Sequence, residues 1–236
     1  MKIKLSAAVV ASTSLLVAAG ASAHVGAGTP VLNANANQEV VLTIGHGCDV
    51  EGANPPQTTD TISLKVDVPA GVTGVRAISN ADFPTVTLDK DGDGNVTAIT
   101  WSKADGLDAD SQYYKVSFRA RMPAAPFTKV YFKSHQKCKA PGKDAEWIRT
   151  PTENPGAEPA AEVTLLPAKA PGWNKYKVPV AIDDVAASGF FKDAQIVWKG
   201  SAAFSANAVT AEQIKTEAGV TALTSIAVDE EIFVKW

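Results

Sequence analysis

His24 has the most distinctive chemistry in this chain, because of what stands before it. Lys2 and Lys4 lead into an apolar stretch, residues 5–20, broken only by small hydroxyl residues. Residues 21–23, Ala-Ser-Ala, then satisfy the small-residue rule for signal-peptide cleavage. Cutting between Ala23 and His24 leaves a histidine that carries both a free α-amine and an imidazole. The amine nitrogen and the nearer ring nitrogen close a six-membered chelate on a metal. Such a nitrogen pair favours Cu(II), which tops the affinity order for divalent ions and accepts nitrogen and oxygen ligands in a tetragonal plane. An α-amine has an ordinary pKa of about 7.7–8.0, so at neutral pH the metal displaces only a weakly held proton.

The remaining soft or imidazole donors are few. Cys48 and Cys138 are the two cysteines. In an exported chain an even count argues for a disulfide, which over so long a loop stabilises by roughly 4–5 kcal/mol. A pair of soft copper ligands is the other reading. Met1 and Met122 are the only methionines, so a thioether site for Cu(I) has nothing to use. His46 lies in a Gly-His-Gly-Cys turn, where hydrogen bonding the turn is its expected task. His135 stands three residues before Cys138. Either could serve as a further metal ligand, giving the two-histidine arrangement of copper monooxygenases that act on polysaccharides. Residues 89–94, Asp-Lys-Asp-Gly-Asp-Gly, imitate the start of a calcium loop. The twelfth loop position is Thr100 and the flanks read as strands, so a hairpin turn is expected. No Ser-His-Asp order, phosphate loop or paired-carboxylate motif stands out, and catalysis is not indicated.

The elements that must position these groups are strands. Residues 39–44, 61–68, 85–88, 96–101, 114–120 and 129–133 alternate apolar and polar side chains, with Pro and Gly turns between them. Short strands at such spacing predict an all-β, antiparallel sandwich. Residues 151–160 are rich in proline and poor in large apolar residues, and read as a linker or long loop. Residues 161–236 form a mostly-β extension or small second domain, with strand patterns at 162–166, 194–198 and 222–236. One helix is expected over 210–218, capped by Thr210 with Gln213 in the capping-box position and ended by Gly219.

Without Lys2 and Lys4 the 22 basic residues fall to 20 against 25 acidic ones, a net charge near −5. A mildly acidic chain with no basic run is a poor partner for nucleic acid. No later segment approaches the ~20 apolar residues of a membrane span. No membrane anchor is expected, and the processed chain is expected in the periplasm or medium.

Residues 44–51, Ile-Gly-His-Gly-Cys-Asp-Val-Glu, with Thr58-Thr59 and the Val-Pro-Ala-Gly-Val of 68–72, resemble the YcnI-like family of exported copper-binding proteins. Residues 114–121, the Val-Tyr-Phe of 130–132, Gln136 with Cys138, and Trp147-Ile148 are similar to later motifs of that family, in order and at proper spacing. The resemblance covers about residues 24–150. It implies an immunoglobulin-like or fibronectin-like sandwich over that span and a monohistidine brace. In such a brace Cu(II) is held by the amine and imidazole of the N-terminal histidine and by a carboxylate, with a tryptophan beside it. Carried over, His24 supplies two nitrogens, Asp49 or Glu51 the oxygen, and Trp147 is the tryptophan. The turn at 50–56 is longer than the family's, and the tail lies outside the resemblance. The function so implied is non-catalytic copper trafficking or storage, with a copper transporter or another periplasmic copper chaperone as partner. The alternatives are a secreted copper oxygenase and a metal-free β-sandwich interaction module.

Overall fold

The computed structural model describes residues 25–107 and 112–236. The expected leader and His24 lie outside the described residues. Alternating side chains build three sheets around one core. The first orders β1 (Val25–Ala27), β3 (Asn37–Ile44), β10 (Tyr114–Arg121) and β7 (Thr73–Ala77), antiparallel throughout. The second orders β11 (Thr128–Phe132), β15 (Ala161–Leu166) and β2 (Val31–Asn33). Here β2 runs parallel to β15, with Val31 opposite Thr164. The third orders β14 (Glu158–Pro159), β13 (Ala145–Arg149), β12 (Ser134–Cys138), β6 (Thr61–Asp67), β9 (Val96–Ser102) and β8 (Thr85–Lys90). A short ribbon of β4 (Cys48–Asp49) and β5 (Thr58–Thr59) completes this part.

The layers meet where strand alternation sends large residues inward. On β10, Tyr114, Val116, Phe118 and Ala120 are buried and the residues between them face outward. Phe118 meets Trp101 of β9 at 6.4 Å and Phe132 of β11, edge to face, at 5.6 Å. Each such fully buried side chain stabilises by about 1.5–3 kcal/mol. The expected all-β antiparallel sandwich is therefore the fold.

The calcium-like segment is a hairpin turn, as expected. Asp91 carboxylate oxygens accept from the backbone N–H groups of Asp93 and Asn95 and from the Asn95 amide. The side-chain hydrogen bond from Asn95, with backbone donors beside it, holds the Asp91 carboxyl below its ordinary value. Residues 151–157 form a loop that turns back on the sandwich rather than a linker leading away. Its end, β14, pairs with β13, and β15 beyond it enters the main core.

The expected 161–236 extension divides at that point, since β15 belongs to the sandwich. A second hydrophobic cluster, centred on Val178, Phe191, Val197, Ile232 and Val234, gathers under another sheet. That sheet orders β16 (Trp173–Lys177), β20 (Glu231–Lys235), β17 (Ile196–Lys199), β18 (Ala202–Phe204) and β19 (Thr221–Ala222). One side chain of the sandwich is sunk in it. Phe127, in the connection between β10 and β11, packs against Tyr176, Phe190 and Phe191 at 5.5, 5.9 and 5.2 Å. Its φ of 63° is a left-handed conformation that a bulky residue adopts only when packing holds it there.

The helix α1 (Ala208–Thr216) starts earlier than the sequence suggests. Asn207, not Thr210, is the cap: its side-chain oxygen accepts from the N–H groups of Val209 and Thr210. Asparagine is at least as good a cap as threonine, and its earlier position adds most of a turn. The helix also ends earlier than expected, at Thr216 with Glu217 as its C-cap. Gly219, at φ +81°, therefore lies in the turn beyond rather than ending the helix.

Candidate metal centre

The region around the turn at 45–51 is tied together by one buried amide. β3 ends at Ile44, which stands opposite Val25 on one side and Tyr114 on the other. The chain then turns through Gly45, His46 and Gly47 into Cys48. Gln136 of β12, only 2% exposed, reaches this turn. Its amide nitrogen donates to the His46 carbonyl at 3.0 Å and to Thr61 Oγ1 at 2.7 Å. Its amide oxygen accepts from the Trp147 indole N–H at 3.0 Å. A buried polar group left unsatisfied is destabilising by about 1–3 kcal/mol, so these partners fix one another. Trp147, 6% exposed, is thereby locked at the margin of the main core.

The disulfide Cys48–Cys138 is present, with a Cα–Cα distance of 5.8 Å. It fastens the β4–β5 ribbon to the end of β12. Beyond Cys138 the chain folds over the same ribbon. The Cys138 N–H donates to Asp144 Oδ1 at 3.1 Å, and the Lys143 N–H donates to the Asp49 carbonyl at 3.1 Å. Gly142 lies so close to the ribbon that a side chain there would meet Thr59 Oγ1.

Asp49 and Glu51 are exposed and line a cleft of about 490 Å³ with Lys143, Asp144, Glu146 and Glu158. Glu51 lies 3.8 Å from Lys143 Nζ, a solvated ion pair of small energetic weight. Glu158 is a carboxylate that sequence reading did not single out; it sits opposite Trp147 in the parallel pairing of β14 with β13. The cleft thus offers hard oxygen donors within one wall of the Cys48 ribbon. Among the described residues no three His, Cys, Asp or Glu side chains converge to hold a metal by themselves.

Both other histidines have ring nitrogens engaged. His46 Nδ1 contacts the Gly47 carbonyl, so the side chain braces its own turn. His135 lies between two carboxylates, with Nδ1 2.5 Å from Glu146 Oε2 and Nε2 3.2 Å from Asp67 Oδ2. Its other cross-strand neighbour, Lys65, is turned away to Asp89 at 2.8 Å. Burial pulls the His135 imidazole down, but hydrogen bonds and charges from Asp67 and Glu146 outweigh it, so its pKa lies above the ordinary 6.5. A raised folded-state pKa means that the protonated ring stabilises the fold. That contribution is complete below about pH 6.5 and is lost as pH rises through the folded-state value. The stability difference between parent and His135→Gln is thus expected to shrink from about pH 6.5 upward, as measured by urea midpoints at several pH values. A difference that stays constant over that range would show that the clamp is not charged.

Residues 24–165 match the family model described as a domain of unknown function, DUF1775. The chain belongs to the DUF1775 family. This is the YcnI-like family that the motifs resemble. Nothing matches among curated proteins. Of solved structures, an uncharacterized protein from Nocardia farcinica, whose structure is described as revealing an immunoglobulin-like fold, is 19% identical at a TM-score of 0.49. That match covers 61% of this chain and 99% of the other. CaCohA2 from Clostridium acetobutylicum is 13% identical at a TM-score of 0.32, covering 60% and 88%. The Corynebacterium diphtheriae major pilin SpaA is 12% identical at 0.31, covering 87% and 47%. The DUF1775 domain thus spans the sandwich through β15, and the second cluster, apart from Phe127, lies beyond it. No described helix is long and apolar enough to cross a membrane.

Proposed function

We propose that this DUF1775 protein is exported, is processed between Ala23 and His24, and binds one Cu(II) for copper trafficking or storage without catalysing a reaction. The His24 amine and imidazole supply two nitrogens, Asp49 or Glu51 supplies an oxygen, and Trp147 stands beside the metal. What carries the reading is the way the chain is tied at one place. Val25 pairs with Ile44 at the entrance to the turn that holds Cys48 and Asp49. His24 is the residue immediately before Val25 in the sequence. The same turn is bridged to Cys138 and linked through Gln136 to Trp147. Glu158, beside Trp147 and in the same cleft, is a third source for the carboxylate. The disulfide fits an oxidising compartment. A copper transporter or a second copper chaperone is the partner such a carrier requires.

Bound copper supplies a doubly charged Lewis acid that the carboxylate partly neutralises. The protein's part is to hold its donors on a cross-linked frame. Calorimetric titration of chain beginning at His24 is expected to give one tight Cu(II) per molecule. His24→Ala, or a single extra residue before His24, should weaken binding by more than the ~100-fold that loss of a supporting contact can reach. Asp49→Asn, Glu51→Gln and Glu158→Gln, made singly, identify the oxygen donor by the largest loss. Trp147→Phe should remove most of the copper-dependent fluorescence change. Equal affinity in parent and His24→Ala would overturn the proposal.

A further inference from the structure

In three of the sheets outward lysines are matched by acids of the same sheet. Lys65 meets Asp89 at 2.8 Å in the six-stranded sheet, Lys129 meets Glu162 at 2.7 Å in the three-stranded one, and Lys175 meets Glu231 at 2.8 Å in the C-terminal one. The first sheet is different. Its outward positions carry Lys115, Arg119 and Arg121 on β10 and Arg76 on the neighbouring β7, all exposed. Arg76 stands directly opposite Arg119. Like charges so placed have Cβ atoms about 4.5–5.5 Å apart and destabilise the sheet. Glu39, opposite Arg119 on its other side, is the one acidic residue of the four strands. Among the described residues none of the four cations has an ion-pair partner. Arg121 is held instead by a neutral group: its Nε and Nη2 donate to Asn35 Oδ1 at 3.2 and 2.6 Å. A chain of net charge −3 thus carries one face of net charge +3, four cations less one acid.

An anion laid over Arg76 and Arg119 relieves their repulsion. From Lys115 to Arg121 β10 runs about 20 Å, and with β7 beside it the cationic strip covers about 200 Å². A stable protein partner needs ~800 Å² per side, whereas attraction to a charged surface needs no such burial. Three of the four cations are arginines, whose planar forks bind phosphate through two parallel hydrogen bonds. No large apolar residue is exposed on these strands. Tyr113, two residues before Lys115, is 62% exposed, and tyrosine is a residue of bilayer interfaces. The occupant that fits presents many phosphates side by side and meets all four cations at once.

We infer that the outward face of β10 and β7 binds the phosphodiester headgroups of an anionic phospholipid surface, reversibly and without insertion. Because the whole chain is acidic, the attraction acts only within about a Debye length, some 8–10 Å at ordinary salt, with this face turned to the lipid. Each cation near such a surface strengthens binding roughly fivefold. The face is independent of the copper reading, so the test uses the chain from His24 onward with chelator present. Phosphatidylglycerol vesicles are expected to carry the protein down on sedimentation at about 0.01 M salt and to release it as salt rises to about 0.15 M. Phosphatidylcholine vesicles should leave it in solution. Arg76→Gln/Arg119→Gln should weaken the partition about 25-fold, while the thermal midpoint holds or rises because the opposed charges are gone. Lys90→Gln/Lys192→Gln removes the same charge from exposed positions elsewhere and should weaken it less than about threefold. Failure to bind phosphatidylglycerol vesicles at low salt would overturn the inference, as would equal losses in the two double variants. So would binding of poly-L-glutamate or of inorganic phosphate in place of the vesicles, which would make this a protein or small-anion site.

Discussion

Replacing both Cys48 and Cys138 with alanine is expected to lower the stability of the protein by about 4–5 kcal/mol. The bridge joins residues 90 apart, and a loop of that length loses much entropy when closed in the unfolded chain. A local effect adds to the global one. The β4–β5 ribbon makes a pairing of two residues on each strand, too little to hold itself. Without the bridge its ties to the rest of the fold are single hydrogen bonds, among them Lys143 to the Asp49 carbonyl, Gln136 to the His46 carbonyl and Lys139 to the Asp60 carbonyl. Guanidinium unfolding of oxidised, reduced and double-alanine protein measures the loss. A shift equivalent to less than about 1 kcal/mol would mean that the unfolded state keeps this loop nearly closed by other means.

Phe127→Ala is expected to be almost as damaging, at about 3–5 kcal/mol, with its effect concentrated in the C-terminal part. Phe127 is fully buried and touches three aromatic rings of the second cluster, although it belongs to the β10–β11 connection of the sandwich. Removing the ring opens a void where the two parts meet. Alanine also inherits the left-handed backbone without the packing that holds it there. Calorimetry should resolve an earlier transition for the second cluster, with the sandwich melting near its usual temperature. A single unshifted transition would show that the cluster closes over the gap.

The strands that alternate cleanly were legible in the sequence: β3, β6, β9 and β10 lie where the apolar period predicts them. Those missed have physical reasons. On β12 two inward positions are Ser134 and Gln136, buried polar residues that hide the period. On β16 the outward positions include Trp173, so exposed and buried residues look alike. β1 and β2 are three residues each, too short for any period. In the candidate site, the cysteine pairing followed from count and compartment. Gln136 was visible only as part of a motif. Its hold on both His46 and Trp147 depends on three strands and a turn meeting, which no local pattern encodes. Glu158 escaped because it sits in a proline-rich stretch that reads as a loop, and only the return of that loop onto β13 gives it neighbours.

The parallel pairing of β2 with β15 bears on how the molecule is made. Val31, among the first of the described residues, finds its partner at Thr164. A chain made N-terminus first must therefore hold β2 unpartnered while well over a hundred residues follow, although β1 finds β3 soon after it. Such distant pairings close slowly, because the loop entropy is spent before any contact offsets it. Until β15 arrives, β2 is a bare edge that can pair with the wrong neighbour. The exposure to wrong pairing is thus set by topology: the protein becomes safe from aggregation only once nearly all of its sandwich has been made.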